Sequence, residues 1–283
     1  MNSVGQHWPE YLIEGTLLGL FMVSACTFTI LLEHPASPLS RTVPEPFMRR
    51  SLIGLAMGLT AIALIYSPIG RRSGAHMNPS LTLTFLHLGK IERRDALFYI
   101  ASQFVGGVAG VTLVRIVAGM LARDPSVRFA ATTPGPGGLE QAFVAELLIS
   151  FFLMSLVLVA SNNRRLAPFT GLLCGALVAS YIIVEAPFSG MSMNPARSFG
   201  TATVSTEWYG LWIYFTAPLL GMMAAAEMFV RTKGTHAVIC AKLNHSGTAR
   251  CIFRCGYARQ QASARAISAH GSSHRVPLPQ SMG

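Results

Sequence analysis

Six apolar stretches, each about 20 residues long, constrain this chain more than any other feature, because that length of α-helix spans the roughly 30 Å hydrocarbon core of a bilayer. Hydrophobic residues make up 51% of the 283 residues and charged residues only 12%, a balance that is uncommon in soluble domains. The sequence therefore predicts an all-α membrane protein with six transmembrane helices. These are expected at residues 11–32, 51–69, 96–121, 139–161, 168–186 and 209–230.

A duplicated string lies beside these stretches, SGAHMNPS at residues 73–80 and SGMSMNPA at residues 189–196. Each copy leads into an apolar segment, 79–88 or 195–204, that is too short to cross a bilayer. Asn is a preferred N-cap and Pro fits the first helical position, so each Asn-Pro pair predicts the start of a half-spanning helix. A single Asn-Pro pair is common in turns, whereas the duplicated string before a short helix is specific.

The chain divides into two halves that have the same order of elements. Residues 10–122 hold three spans with a short helix between the second and third, and residues 139–231 repeat that order. Because each half has an odd number of spans, the halves must insert in opposite directions, which is an inverted repeat with its ligand path at the midplane. We expect a channel domain over residues 1–231, followed by a basic and mostly disordered cytoplasmic tail over residues 232–283.

The two half-helices are expected to enter from opposite faces and to meet near the bilayer midplane. Their starts would then aim two positive dipole ends at one point, which repels cations. The amide groups of Asn78 and Asn194 can donate hydrogen bonds to a neutral molecule that passes this point. Unpaired backbone at such depth is tolerated only where it lines a water-filled path. The pore-lining carbonyls are accordingly assigned to Gly74, Ala75, His76, Gly190, Met191 and Ser192.

The net charge of +10 first suggests a nucleic-acid partner, but the distribution of Lys and Arg argues against one. Most of them lie between the second and third spans, between the fourth and fifth, and after the sixth. By the positive-inside rule, both termini are cytoplasmic, although Arg49 and Arg50 lie on the opposite side. No cleaved signal peptide is expected, because residues 1–10 carry no Lys or Arg and the first apolar run is too long.

With these motifs the chain resembles the aquaporin, or major intrinsic protein, family over about residues 10–231. The resemblance depends on SGAHMNPS, SGMSMNPARSFG, AELLISFFL in the fourth span and the glutamate of YLIEGT in the first. It implies a right-handed bundle of six helices and two half-helices that conducts water and other small neutral solutes while excluding ions and protons. It also implies a homotetramer in the plasma membrane, with lipid and solute as partners, no cofactor and no enzymatic activity.

The same resemblance assigns the site residues. The pore motif comprises Asn78, Pro79, Ser80, Asn194, Pro195 and Ala196. Ser80 stands where the family usually has Ala, and we expect it to be tolerated because of its similar size. Glu14, Glu146 and Gln103 are implied to support the motif loops through hydrogen bonds. The selectivity filter is assigned to Met57, Ile182, Met191 and Arg197, with Gly58 as an alternative to Met57 and with Arg197 at the outer end of its half-helix.

This filter leaves the solute open between water and a larger neutral molecule. Ile182 stands where strict water channels carry His, and Met57 where they carry Phe, so the filter is less polar than a water-specific one. A glycerol or small-solute facilitator of the same fold is therefore the first alternative. Ser198 argues against it, because facilitators of that branch typically carry Asp after the filter arginine.

Two other classes of function remain as alternatives. A coupled secondary transporter shares the inverted repeat and the broken helices. It needs a coupling site, and beyond Glu14 and Glu146 the spans offer no buried acid pair. A membrane scaffold with a closed pore and a partner-binding tail is the alternative that involves no transport.

The tail holds four soft metal ligands within sixteen positions, and such a set can bind zinc. Their spacing matches no common zinc finger. A basic tail with reduced thiols against anionic lipid is the simpler interpretation, so no metal is assigned and the zinc site stays an alternative. Its candidate ligands are Cys240, His245, Cys251 and Cys255.

Overall fold

The computed structural model describes residues 3–245 and 250–257. Within these ranges the chain forms eleven α-helices and no β-strand. In chain order the helices are α1 (Ser3–Glu33), α2 (Pro38–Thr42), α3 (Pro46–Tyr66), α4 (Pro68–Ser73), α5 (Pro79–His87), α6 (Arg93–Arg123), α7 (Gly138–Ser161), α8 (Thr170–Val184), α9 (Ala186–Ser189), α10 (Pro195–Ser205) and α11 (Leu211–Lys233).

Six of the described helices, α1, α3, α6, α7, α8 and α11, are long and apolar enough to cross a bilayer, which confirms the predicted number of spans. Helix α6 extends beyond the predicted 96–121 at both ends and is kinked at Ala118. The sequence does not predict α4 and α9, because helices of six and four residues are too short to show an apolar period. Each of them leads directly into one of the motif loops.

The half-helices begin where the Asn-Pro pairs predict. Helix α5 starts at Pro79 and α10 at Pro195, so the element order α1, α3, α5, α6 is repeated by α7, α8, α10, α11. With nine and eleven residues, both helices are shorter than the roughly 20 residues that a span requires. The fold is thus an all-α bundle of six spans and two half-helices.

Glycines permit the helices to approach closely. A Cβ atom at Gly15 of α1 would lie 2.6 Å from the carbonyl oxygen of Ser102 on α6. A Cβ atom at Gly58 of α3 would lie 2.5 Å from the carbonyl oxygen of Gly175 on α8. No side chain fits at these separations, so glycine sets the backbone distance in both helix pairs, as it does at many helix contacts in membranes.

Part of the tail packs against the bundle. Val238, Ala241, Leu243 and Phe253 are buried, so this part differs from the mostly disordered tail that its composition suggests. These apolar side chains belong to the same buried cluster as side chains of the helices, such as Leu17, Phe85 and Tyr99, although the tail sequence has no periodic apolar pattern. The expectation for residues 246–249 and 258–283 lies outside the described residues.

Candidate functional site

Each motif asparagine caps its own half-helix. The side-chain oxygen of Asn78 accepts a hydrogen bond from the backbone N–H of Ser80 at 2.9 Å. The corresponding oxygen of Asn194 accepts from Ala196 at 3.0 Å and from Arg197 at 3.3 Å. These bonds satisfy N–H groups that have no partner within the helix, and they fix the orientation of both amide groups.

The two asparagines also connect the halves reciprocally. The Asn78 amide donates to the backbone oxygen of Met193 at 2.7 Å, and the Asn194 amide donates to the backbone oxygen of Met77 at 2.6 Å. The starts of α5 and α10 therefore meet, as the duplicated motif predicts. A side-chain amide carries two N–H donors, so one donor of each asparagine remains for a molecule in the cavity that both residues line.

The loops before the half-helices share an unusual backbone conformation. Ala75 and Met77 have φ angles of 56° and 49°, and Met191 and Met193 have φ angles of 50° and 55°. Positive φ is uncommon for residues other than glycine and costs free energy. Bonds from elsewhere in the protein must therefore hold both loops in place.

Glu14 on α1 supplies these bonds for the first loop. One oxygen of its buried carboxylate accepts from Ser73 Oγ at 2.7 Å and from the His76 N–H at 3.0 Å. The other oxygen accepts from the Met77 N–H at 2.6 Å and from Gln103 Nε2 at 2.9 Å. The carboxylate and Gln103 thus lie where the resemblance implies a supporting role.

Glu146 on α7 does the same for the second loop. Its carboxylate accepts from Ser189 Oγ at 2.8 Å, from the Ser192 N–H at 2.6 Å and from the Met193 N–H at 2.7 Å. A buried charge is tolerated when several hydrogen bonds replace its hydration. Both carboxylates therefore use their oxygens to shape the loops.

A further symmetric pair escapes sequence analysis. The Tyr99 hydroxyl donates to the Ser73 carbonyl at 2.8 Å, and the Tyr214 hydroxyl donates to the Ser189 carbonyl at 2.6 Å. Both tyrosines are fully buried, on the last spanning helix of their respective halves. The sequence could have indicated these two tyrosines only through an alignment of the two halves that looks for aromatic residues at matching positions.

One cavity of about 390 Å³ passes the asparagine pair. Along α1 it is lined from Leu18 to Glu33, about 22 Å at 1.5 Å per residue. Leu243 of the tail lines it as well. The cavity therefore extends along much of the bundle and reaches the packed part of the tail.

All four residues assigned to the filter line this cavity: Met57, Ile182, Met191 and Arg197. Gly58, the alternative to Met57, faces α8 instead. The position expected for Arg197 needs correction, because this residue lies in the first turn of α10 and not at the outer end of the helix. One terminal nitrogen of its guanidinium is buried without a hydrogen-bond partner among the described residues.

The assigned carbonyl positions divide into two groups. Five of the six line the cavity: Ala75, His76, Gly190, Met191 and Ser192. Gly74 does not, because its carbonyl accepts a hydrogen bond from the Leu243 N–H of the tail at 3.1 Å. Pro79, Ser80, Pro195 and Ala196 are buried behind the asparagines as the first turns of the half-helices.

Three acids besides the two motif glutamates are buried, although two of them lie just outside the spans predicted at residues 11–32 and 96–121. Glu10, Asp95 and Glu185 are also buried. Glu10 pairs with Arg72 at 3.0 Å, and Asp95 accepts a hydrogen bond from the Tyr11 hydroxyl at 2.6 Å. Since none of the three acids lines the cavity, they add no carboxylate to the solute path.

The tail brings its four candidate metal ligands together. The ligand atoms of Cys240, His245, Cys251 and Cys255 all lie within 4.8 Å of one another. Nearby, Arg254 donates to the Glu92 carboxylate at 2.6 Å, and this hydrogen bond lowers the pKa of Glu92. Both of these charged side chains are exposed, so the ion pair itself contributes little stability.

Comparisons with known proteins agree with this architecture. The model of the family described as major intrinsic protein matches residues 6–229. Aquaporin NIP1-2 of Arabidopsis thaliana is 35% identical over 181 residues, covering 62% of this chain and 61% of that protein. Nodulin-26 of Glycine max is 34% identical over 178 residues, covering 62% and 64%. The matched region thus spans less than two thirds of the length of these curated relatives.

A solved structure shows the same fold. The aquaglyceroporin from Plasmodium falciparum superimposes with a TM-score of 0.66 at 18% sequence identity, covering 82% of this chain and 98% of that one. At this identity the likeness concerns the fold alone. The family match, in contrast, covers both halves of the repeat. This chain is a multi-pass integral membrane protein and belongs to the major intrinsic protein family.

Proposed function

We propose that this protein is a passive channel that conducts water and other small neutral solutes across the membrane and excludes ions and protons. The observation that supports the proposal is the reciprocal pairing of Asn78 and Asn194 beside a continuous cavity. A narrow polar track lined by two amide donors suits a solute that accepts hydrogen bonds. We assign no catalysed reaction to it.

Charge exclusion follows from two features of this site. The starts of α5 and α10 direct their positive dipole ends toward the asparagine pair, and Arg197 adds a full positive charge beside the same cavity. A cation would lose its hydration shell in this region and meet three positive groups. A neutral molecule is not repelled and can replace lost water contacts with the amide donors.

A glycerol or small-solute facilitator is the second candidate. The filter positions Met57, Ile182 and Met191 are apolar, which favours a solute that carries carbon atoms as well as hydroxyl groups. Ser198 bonds to the Ser192 and Thr132 hydroxyls and does not supply the acidic residue typical of facilitators. We therefore propose that water is the main permeant and that a small polyol is an additional one.

Water and glycerol permeability measured side by side on proteoliposomes tests both candidates. Water flux no faster than in empty vesicles refutes the channel, and an ionic current comparable with solute flux refutes charge exclusion. Ile182→His adds a polar group to the filter. One added or lost hydrogen bond of about 1.5 kcal/mol should lower the glycerol-to-water ratio about tenfold. Ile182→Leu conserves volume and apolarity and serves as the matched control, with an unchanged ratio.

Coupled transport is not supported by the same contacts. The oxygens of Glu14 and Glu146 accept seven hydrogen bonds from the motif loops and Gln103, so both carboxyl groups are engaged in holding the loops. A proton relay would have to break these bonds in every cycle. Solute flux that collapses on addition of an uncoupler would contradict the passive channel.

We further propose a homotetramer in the plasma membrane with both termini in the cytoplasm. Exposed apolar side chains on α6, among them Ile116, Val117 and Met120, suit contact with lipid or with a second subunit. The tail packs beside Arg71 and Lys90, in the loops whose basic residues indicate the cytoplasmic side. Protease accessibility in oriented vesicles and the mass of the purified protein test these assignments.

A further inference from the structure

The packed part of the tail reaches into the pore. The Leu243 N–H donates to the Gly74 carbonyl at 3.1 Å, and Leu243 lines the same cavity as the filter residues. The Ala241 carbonyl lies 2.8 Å from Nε2 of His76, a pore-lining residue, and therefore accepts a hydrogen bond from this ring. Two tail residues are thus bonded directly to the first motif loop.

Aromatic contacts extend this attachment. Phe253 stacks on His76 with a centroid distance of 5.3 Å and packs edge-on against Tyr99 at 6.0 Å. The other face of the His76 ring stacks on Phe85 of α5 at 5.2 Å. Removal of the tail would uncover one face of a histidine that lines the solute path.

The tail also bridges the two halves of the channel. The Ile239 N–H donates to Asn162 Oδ1 at 2.6 Å, and the Tyr257 hydroxyl donates to the Ser161 carbonyl at 3.0 Å. Both acceptors lie at the end of α7, in the second half. On the first half, the Arg254 N–H donates to the Lys90 carbonyl at 3.0 Å. A segment bonded to both halves at one end of a channel covers the mouth of its pore.

Little regular structure holds this cover in shape. Among the described residues, 238–245 and 250–256 contain neither α-helix nor β-strand, and short segments without a core of their own usually need a cross-link. The sulfur atoms of Cys240 and Cys251 are 3.6 Å apart, and Cys255 Sγ is 3.2 Å from His245 Nε2. The described cysteines form no disulfide.

The four ligand atoms lie close enough together to bind one zinc ion. Zinc binds thiolate sulfur at about 2.3 Å and imidazole nitrogen at about 2.0 Å, so two ligands of one ion are separated by roughly 3.5 Å. Three thiolates and one dication leave a net negative charge. Lys242, two residues after Cys240 in the chain, supplies a positive charge in the same segment, and its buried Nζ donates to the Arg71 carbonyl at 2.8 Å and to the Arg250 carbonyl at 2.6 Å.

We propose that Cys240, His245, Cys251 and Cys255 form a zinc site that locks the tail across the cytoplasmic mouth of the pore. The gating part rests on the proposed channel function, whereas the metal site does not. Zinc binds the ordered tail and not the released one, so it stabilises the closed form by mass action. Free zinc at 100 times its Kd lowers the open-to-closed ratio about 100-fold.

Metal content of the full-length protein, purified in detergent with zinc chloride and then desalted, tests the site. We expect one zinc per chain in the wild type and in His236→Gln, a matched control at an exposed tail histidine outside the cluster. Cys251→Ser combined with Cys255→Ser should abolish binding. Zinc content that is absent in the wild type, or equal in this double variant, overturns the site.

Thiol alkylation separates zinc from a disulfide. With zinc bound, the tail cysteines should react at least tenfold more slowly with a maleimide than after treatment with a strong zinc chelator. Protection that a reductant removes and a chelator does not would mean a disulfide, and would overturn the zinc site. Protection that persists in the double variant would have the same consequence, because two of the ligands are then missing.

Water permeability of proteoliposomes with zinc or chelator on both sides tests the gate. The wild type should be severalfold more permeable with chelator, whereas the double variant should be equally permeable in both conditions. Equal wild-type permeability with zinc and with chelator overturns gating. If neither the chelated wild type nor the double variant conducts more than empty vesicles, the channel function itself fails, and the metal content still decides the zinc site.

Discussion

Glu146 permits a quantitative test of how the second motif loop is held. Its carboxylate accepts from Ser189 Oγ and from the backbone N–H groups of Ser192 and Met193, at 2.8, 2.6 and 2.7 Å. In Glu146→Gln, one of the two oxygens becomes an NH2 group. The two backbone donors bond to different oxygens, so in either orientation of the amide one of them faces another donor and loses its acceptor.

The cost of this mismatch follows from hydrogen-bond energetics. A bond to a charged group contributes about 1.5–3 kcal/mol, and a buried donor without an acceptor costs about 1–3 kcal/mol. We expect Glu146→Gln to destabilise the ordered loop by about 2–4 kcal/mol. Because each 1.4 kcal/mol changes an equilibrium constant tenfold, the population with an open loop should rise about 30-fold to about 1,000-fold.

Hydrogen–deuterium exchange of the peptide containing Ser192 and Met193 measures this population directly. Exchange of these two amides should accelerate by the same factor, and water permeability should fall because Asn194 follows the released loop. Glu140→Gln is the matched control, since Glu140 is an exposed residue in the first turn of the same helix. Unchanged exchange in a folded Glu146→Gln protein would refute the view that the carboxylate holds the loop.

Two further substitutions test packing and polar satisfaction. Gly106→Ala should destabilise the bundle by about 1–3 kcal/mol, because a Cβ there would overlap the Gly15 backbone. Gly119→Ala, on the same helix with nothing within 4 Å, should be neutral or stabilising by up to about 1 kcal/mol. Ser80→Ala should raise the thermal midpoint, because the Ser80 hydroxyl is buried without a partner among the described residues and costs about 1–3 kcal/mol. These expectations would be contradicted if the thermal midpoint fell by a similar amount in both glycine variants, or if it fell in Ser80→Ala.

The parts of the fold that could be predicted are those with a local cause. The starts of α5 and α10 follow from Asn-Pro alone, because capping and the fixed φ of proline act within a few residues. The six spans follow from length and apolarity, since the bilayer imposes both. Met57 lies on the cavity and Gly58 does not. The sequence could not decide between these two neighbours, because the length of the loop between α3 and the first motif left the alignment uncertain by one residue.

Contacts between distant residues account for what the sequence could not predict. Tyr99 reaches Ser73 across 26 positions, and nothing near either residue indicates the bond. The tail contains Leu243 and Phe253 without any period, yet both are buried because they pack against the bundle, at Gly74 and at His76 respectively. Low apolar periodicity excludes a core within the segment itself, but it does not exclude docking elsewhere.

The two halves repeat the backbone of the motif loops and the glutamates and tyrosines that bond to them. Other side chains differ between the halves, and these differences place solute selection and the proposed gating in different parts of the pore. At matching motif positions, His76 bonds to the tail, whereas Ser192 bonds to Ser198 of α10. The filter lies near the second motif loop, whereas the proposed zinc lock lies near the first. Ile182→His should therefore change the glycerol-to-water ratio and leave the response to zinc intact. Cys251→Ser should abolish the response to zinc and leave the glycerol-to-water ratio unchanged. If either substitution alters both the ratio and the zinc response, the two ends of the pore are not independent.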